Sequence, residues 1–397
     1  MKRLSLLILI ALLTSCFWAR LTFAQGSDAA LRQPNILVDV DKVQCPTAAY
    51  TSIQAAVNAA NPGDFIRVCP GNYPEQVTID KSLIIRADNG VLVKPSALTS
   101  NATGPSGDSI AAIILVQNAD NVDLEGFIVD GSANGLAACS PRLIGILYED
   151  ASGILRHNAV RHTRLATGLE GCQSGNAIEV ESNSDRQSRV EVGDNSIDSY
   201  QKNGITVNEP GSVVAVDENN VTGIGSTTAI AQNGIQIGFG ASGRIVNNVV
   251  ANNVYSTCDS TASCPANASG ILVYQSDGIT INHNSVSDSQ VGILIAANNA
   301  NVVTNTVFHS ALLDGIALVG NGNSASFNEV SNSGEAAFYV QGNNNTIFEN
   351  EITGADVGLL KISGSTGTNH YRNRYFATFV RVKDPAPPRT FTPMPSR

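Results

Sequence analysis

Gly270-Ile271-Leu272-Val273 returns 22 residues later as Gly292-Ile293-Leu294-Ile295, and between the two stands Asn284-Ser285-Val286. The same tetrad, Gly or Ala then apolar, any residue, apolar, continues as Gly315-Ile316-Ala317-Leu318, Ala337-Phe338-Tyr339-Val340 and Gly358-Leu359-Leu360-Lys361. Upstream it reads Gly145-Ile146-Leu147-Tyr148, Ala177-Ile178-Glu179-Val180, Gly204-Ile205-Thr206-Val207 and Gly234-Ile235-Gln236-Ile237. The Asn signature recurs in step at Asn158, Asn195, Asn219, Asn248, Asn305, Asn328, Asn350 and Asn373.

A period near 22 built from short alternating strands and turn residues predicts a solenoid in which each repeat is one coil. Coils stack at the roughly 4.8 Å spacing of hydrogen-bonded strands. Alternation points Ile146, Ile178, Ile205, Ile235, Ile271, Ile293 and Ile316 inward and turns every second residue outward to solvent. The recurring Asn stacks as an internal ladder whose amides satisfy turn backbone that water cannot reach. Weaker repeats at 65–68, 77–79, 83–85 and 122–131 bring the count to about eleven or twelve coils, a stack of roughly 50 to 60 Å at that spacing.

An open stack needs caps. At the front, residues 50–60 predict a short amphipathic helix, with Thr51 and Gln54 matching a capping box and Asn61-Pro62-Gly63-Asp64 ending it. At the back, Tyr371 to Val382 should close the stack, and 383–397, rich in proline, reads as a disordered tail. Met1-Lys2-Arg3 followed by the apolar run Leu4–Leu13 reads as a secretory leader, too short to span a bilayer. Cleavage after Ala24 is the leading reading; Leu13-Thr14-Ser15-Cys16 offers the alternative of a lipid anchor at Cys16. The expected organisation is a leader at 1–24, a linker at 25–44, one all-β domain at 45–382 and the tail.

Removing the three basic residues of the leader leaves 24 − 3 = 21 Lys and Arg against 34 Asp and Glu, a net charge of −13 that argues against nucleic acid. No later run is long and apolar enough to cross a membrane as a helix, and a monomer is expected. Six cysteines follow the leader, an even number suited to disulfides in an oxidising compartment. Sequence proximity favours Cys45 with Cys69 and Cys258 with Cys264, leaving Cys139 with Cys172; 15 pairings are open in principle for six cysteines.

The repeats, with Tyr50-Thr51-Ser52-Ile53-Gln54-Ala55-Ala56-Val57, Pro62-Gly63-Asp64 and Cys69-Pro70-Gly71-Asn72-Tyr73, resemble the right-handed parallel β-helix, or pectin-lyase-like, superfamily. That group includes pectate lyases, polygalacturonases, alginate epimerases and periplasmic nitrous-oxide-reductase maturation proteins. The resemblance covers 45 to about 380 and implies the fold; the scaffold hosts many functions. Motifs of the enzymes are missing: no Asn-Thr-Asp, Gly-His-Gly, Asp-Pro-His-Asp or Arg-x-Pro-x-x-Arg occurs. In pectate lyases the first strands and third-turn loops line the polysaccharide cleft. Here the spacing from ladder Asn to the next tetrad is 19, 9, 15 and 22 residues in the first coils, then 8, 10, 9 and 8, so elaborated loops flank only the earlier tetrads.

Beside those loops the outward positions Glu149, Glu179 and Glu181 cluster, with Arg161, His162 and Arg164 in the intervening segment. Such carboxylates could hold calcium and acidify a uronate α-proton for an Arg or His base, or serve as the acid and base of a glycosidase. The plainer reading is a solvated, ion-paired face. His309 and His370 give no metal-ligand spacing, so copper and zinc are not supported. The leading expectation is an extracytoplasmic, secreted or periplasmic protein that binds an extended polysaccharide along the first-strand face; a polyuronate lyase or hydrolase and a structural surface rod are the alternatives.

Overall fold

The computed structural model describes residues 33–183, 186–257, 266–386 and 393–396. Three long sheets of 13, 12 and 13 strands run the length of the stack; apart from Ile36–Val38, which joins the first sheet only, and Ala102–Thr103, which adds to the edge of the third, each coil contributes one strand to each. Every pairing along these sheets is parallel; the one exception is a short antiparallel addition of Ala102–Thr103 to Ser109–Gln117. The tetrads form one sheet in the expected register: Ile146 pairs Ile178, which pairs Ile205, then Ile235, Ile271, Ile293 and Ile316. All seven are fully buried.

The Asn ladder is equally regular. From Asn195 onward each Oδ1 accepts the backbone N–H of the Asn one coil earlier, at 3.0 Å for Asn195 to Asn158, 2.9 Å for Asn305 to Asn284 and 3.0 Å for Asn373 to Asn350, while Asn158 accepts from Phe127. The residue before each ladder Asn takes a left-handed backbone conformation, which is where His157 and His283 fall, with φ of 55° at both. A second ladder, not expected from the repeat, runs through Asn323 and Asn345 in the turn that follows the tetrad strands.

The tetrad glycines are explained by close approach. A methyl group on Gly292 would stand 2.4 Å from Val307 Cγ1 on the facing sheet and 2.5 Å from the Gly315 carbonyl oxygen. The Val307 side chain of the sheet after the Asn turn therefore packs directly on the Gly292 backbone, leaving no room for a side chain there.

Both ends depart from expectation. The stack begins earlier, since Ile36–Val38 pairs with Phe65–Val68 inside the segment read as a linker. The helix is Ile53–Ala59, and its N-cap is Ser52, whose hydroxyl accepts from Ala55 N–H. Glu75, from the next coil, takes the Ile53 and Gln54 amides, while Gln54 bonds the Thr78 backbone instead of closing a capping box. At the far end Asn369–Tyr371, Arg374–Phe376 and Val380–Ala386 are the last rung of the sheets rather than a lid over them. Phe379 is accordingly 88% exposed. The last strand also runs on into the predicted tail, as far as Ala386.

Disulfides join Cys45 to Cys69 and Cys139 to Cys172, as the spacing suggested. Cys258, Cys264, the leader and Cys16 lie outside the described residues.

Candidate functional site

Outward positions of the tetrad sheet follow columns that can be read from the register. One column runs Leu115, Leu147, Glu179, Thr206, Gln236, Leu272, Leu294, Ala317, Tyr339, Leu360. Leu115 and Leu147 precede, and Leu272 to Leu360 follow, a stretch that is polar over three successive coils. The flanking column behaves alike: Ala112 and Ile144, then Asn176, Asn203 and Asn233, then Ser269 and Val291. The three coils Asn176–Glu181, Asn203–Asn208 and Asn233–Gly238 thus carry a polar window in an otherwise apolar face.

That face is not solvated. Glu179, Thr206, Gln236, Asn176, Asn203 and Asn233 are fully buried, Glu181 is 1% exposed and Glu149 7%. The expectation of a solvated, ion-paired exterior fails because other segments lie over the sheet. Gln201 fastens one of them, the loop after residue 162, by accepting from Leu165 N–H and donating to the Leu169 and Cys172 carbonyls. The Cys139–Cys172 disulfide ties that loop to the one a coil earlier.

Within the window the polar groups form a chain. Arg142 bridges Asp108 (2.7 Å) and Glu179 (2.8 Å), and Asn176 Nδ2 donates to the same Glu179 oxygen at 2.8 Å. Asn203 Nδ2 donates to Thr206 and to Gln236 Oε1, both at 3.0 Å, and Gln236 Nε2 donates to Asn208 at 2.8 Å. Lys202, fully buried, donates to the Ala231 carbonyl at 2.7 Å, and burial pulls its ammonium down to about 7. Burial together with Glu179 and Glu149 pushes the Glu181 carboxyl well above its ordinary value, although Arg142 opposes the shift. Burial also raises Glu149, against a hydrogen bond from Asn183. Among the described residues Asn176 Oδ1, Glu179 Oε1, Glu181 Oε1, Asn233 Oδ1 and Arg142 Nη2 are buried without a hydrogen-bond partner. Buried polar atoms left so are uncommon and call for an explanation.

The structure brings Glu149, Glu179 and Glu181 together, with Glu149 beside Glu181 in the ladder. It does not place Arg161 and His162 with them. Both attend Asp130, Arg161 Nε at 2.9 Å and His162 Nδ1 at 3.3 Å, on the strand that follows the Asn turn. Burial would raise Asp130, but Ser132, Arg161 and His162 outweigh it and hold the carboxyl at about 2. Arg164 contributes backbone bonds, to His162 O and from Asn134. No three His, Cys, Asp or Glu side chains among the described residues are grouped to hold a metal ion, Glu149, Glu179 and Glu181 included.

Sequence reading missed Arg142, Asn176, Lys202 and Gln236. The signal was available in the columns: once tetrads are aligned, a polar residue where neighbouring coils carry Leu or Ile marks a break in an apolar stripe.

Residues 260–387 match the family described as periplasmic copper-binding protein (NosD). Copper is implied by that description, yet the histidines of this stretch stand apart: His283 in a turn, His309 against Asp288 at 2.7 Å, His370 on the last rung. They do not make a copper site with the described residues around them. A cell surface glycoprotein of Methanothermus fervidus is 32% identical over 89 residues, which are 22% of this chain and only 13% of that protein. Among solved structures, the A-module of a mannuronan C-5 epimerase from Azotobacter vinelandii superposes with a TM-score of 0.53 at 12% identity, over 86% of this chain and 94% of the module. A lacto-N-biosidase from Eubacterium ramulus gives 0.51 at 11% identity, over 86% of this chain and 67% of that one. No helix among the described residues is long and apolar enough to cross a membrane. Parallel coils, Asn ladder and structural likeness agree that the chain folds as a right-handed parallel β-helix.

Proposed function

We propose that the chain is an exported β-helix protein that binds an extended polysaccharide across the polar window of its tetrad sheet. The observation that carries this reading is the window itself: buried amides, carboxyls and an ammonium on three adjacent coils, some atoms still without partners, in columns that are mainly apolar on the coils to either side. A row of donors and acceptors repeating at the strand spacing of about 4.8 Å suits a chain of hydroxyl-bearing rings better than a compact molecule. Export is supported by the two disulfides and the basic, apolar start of the sequence. The two superposed enzymes are a mannuronan C-5 epimerase and a lacto-N-biosidase.

Titration calorimetry of the mature protein against neutral and uronic-acid oligosaccharides, with calcium and with chelator, tests the reading. Binding that weakens about ten-fold or more in Gln236→Ala, a loss of about 1.4 kcal/mol, is expected. Failure of every saccharide to bind, with the groove uncovered as well as in the parent protein, would sink it.

A second reading, cleavage of a uronate glycan, is favoured by the raised carboxyls of Glu149 and Glu181 beside Glu179, which is ion-paired with Arg142. Glycoside chemistry uses a carboxyl that holds its proton more tightly than usual close to a second carboxyl. Ultraviolet absorbance of unsaturated uronyl ends, or new reducing ends, separates lyase and hydrolase from a binder; neither signal in the presence of binding removes this second reading.

A further inference from the structure

The buried state of the window has a specific cause in the C-terminal segment. Pro393 pairs with Asn267 as an isolated parallel bridge, and Met394 packs against the small cluster of Ala231, Ala266 and Ala268. The Met394 carbonyl accepts from Lys202 Nζ at 2.5 Å and Asn233 Nδ2 at 3.2 Å. Two residues on, the Ser396 carbonyl accepts from Asn208 at 2.7 Å and Gln236 Nε2 at 2.8 Å. Its amide donates to Gln236 Oε1 at 2.9 Å, and its hydroxyl accepts from Asn176 at 3.0 Å. Ser396 is fully buried.

We infer that the segment Pro393–Ser396 is a tethered occupant of the saccharide groove, a strap that must leave before an external chain enters. The inference rests on the polysaccharide reading and adds its regulation. Three features separate a strap from ordinary packing. The groove side chains meet the segment chiefly through its backbone oxygens and one hydroxyl, the atoms that sugar oxygens would replace. The contacts come from all three coils of the polar window. Finally, Asn176 Oδ1, Asn233 Oδ1 and Glu179 Oε1 lie buried and unpartnered among the described residues, so the segment satisfies this groove only in part. At its Arg142 end the groove continues into an open depression lined by Asp108, Ser109, Cys139, Ser140, Arg142 and Gln173, with Gln173 touching Met394. An entering chain can therefore take hold there and displace the segment progressively.

A ligand that binds only the open state loses apparent affinity in proportion to the open fraction, so a groove open a tenth of the time binds about ten-fold more weakly. In the full chain, Met394→Asp sets a carboxylate against three alanines and should expel the segment without altering any groove residue. The probes are mannuronate and galacturonate oligosaccharides and a synthetic peptide spanning residues 385–397. Expected are about ten-fold tighter saccharide binding to M394D than to the parent, and competition for that gain by the peptide. Equal saccharide affinity in the two proteins, with the peptide failing to compete, overturns the strap. If no saccharide binds either protein, the polysaccharide reading fails on its own, and the peptide decides the strap: binding to M394D that is lost on adding Gln236→Ala upholds it, and no binding to M394D overturns it.

Discussion

A carboxylate enclosed beside two others resists ionisation, and Glu181 is placed so, with Glu149 next to it in the ladder and Glu179 two residues back on the same face. Its proton is held more tightly in the folded chain than in the unfolded one. Stability from this group is therefore fully present below the ordinary carboxyl range near 4.5 and is lost as pH rises through the folded value. Glu181→Gln should raise the melting temperature at neutral pH, since it removes a carboxyl that the fold resists ionising. The advantage should vanish in melts near pH 4. A difference that stays constant across the range would mean that the mutation acts through packing and that Glu181 is ordinarily ionised. Asp130 runs the other way: held at about 2, it contributes stability above its ordinary value of 3.8 that is lost as pH falls. The two groups must be separated by comparing E181Q with the parent rather than by reading the parent's profile alone.

Turns are where this fold concentrates its backbone accounting. Asn284 accepts the Asn248 amide at 2.9 Å and donates to the Ile245 and Asn282 carbonyls and to Asn305. Asn284→Ala strands several of these groups in the interior at about 1 to 3 kcal/mol each. A loss of about 3 kcal/mol in denaturant melts, with saccharide binding unchanged at temperatures where the variant is folded, is the expected result; binding abolished at full stability would assign the ladder to the site. The primary ladder was legible because one Asn is demanded in every coil at nearly constant spacing. The secondary ladder was not, since Asn323 and Asn345 serve only two coils and look like turn residues. The glycine column was legible as a repeat but not as packing, because the approach of Val307 to Gly292 belongs to a different sheet. The burial of Glu149, Glu179 and Glu181 was illegible for a related reason: alternation states which residues face outward from one sheet and says nothing of what another segment lays over them. Ser396 reaches Asn176 across 220 residues of sequence, and no local pattern announces such a contact.

Along the whole stack, the two described disulfides divide labour. Cys45–Cys69 sits at the front, where Cys69 follows the strand Phe65–Val68 beneath the capping helix. Cys139–Cys172 joins two loops on successive coils, and Cys139 lines the depression that leads to Arg142 and Glu179. Removing a disulfide frees the unfolded chain and costs about 2 to 4 kcal/mol in either place, since loops closed by 24 and 33 residues differ little in closure entropy. Function should discriminate where stability does not. Cys45→Ser with Cys69→Ser should lower the melting temperature and leave saccharide affinity at its parent value. Cys139→Ser with Cys172→Ser should lower the melting temperature by a similar amount and also weaken binding several-fold, because the loop whose Gln173 lines the depression at Arg142 loses its covalent fastening. Parallel thermal melts and titration of both double mutants make the comparison. Equal loss of affinity in the two would place the saccharide elsewhere on the stack, and loss only in the front pair would move it to the capped end.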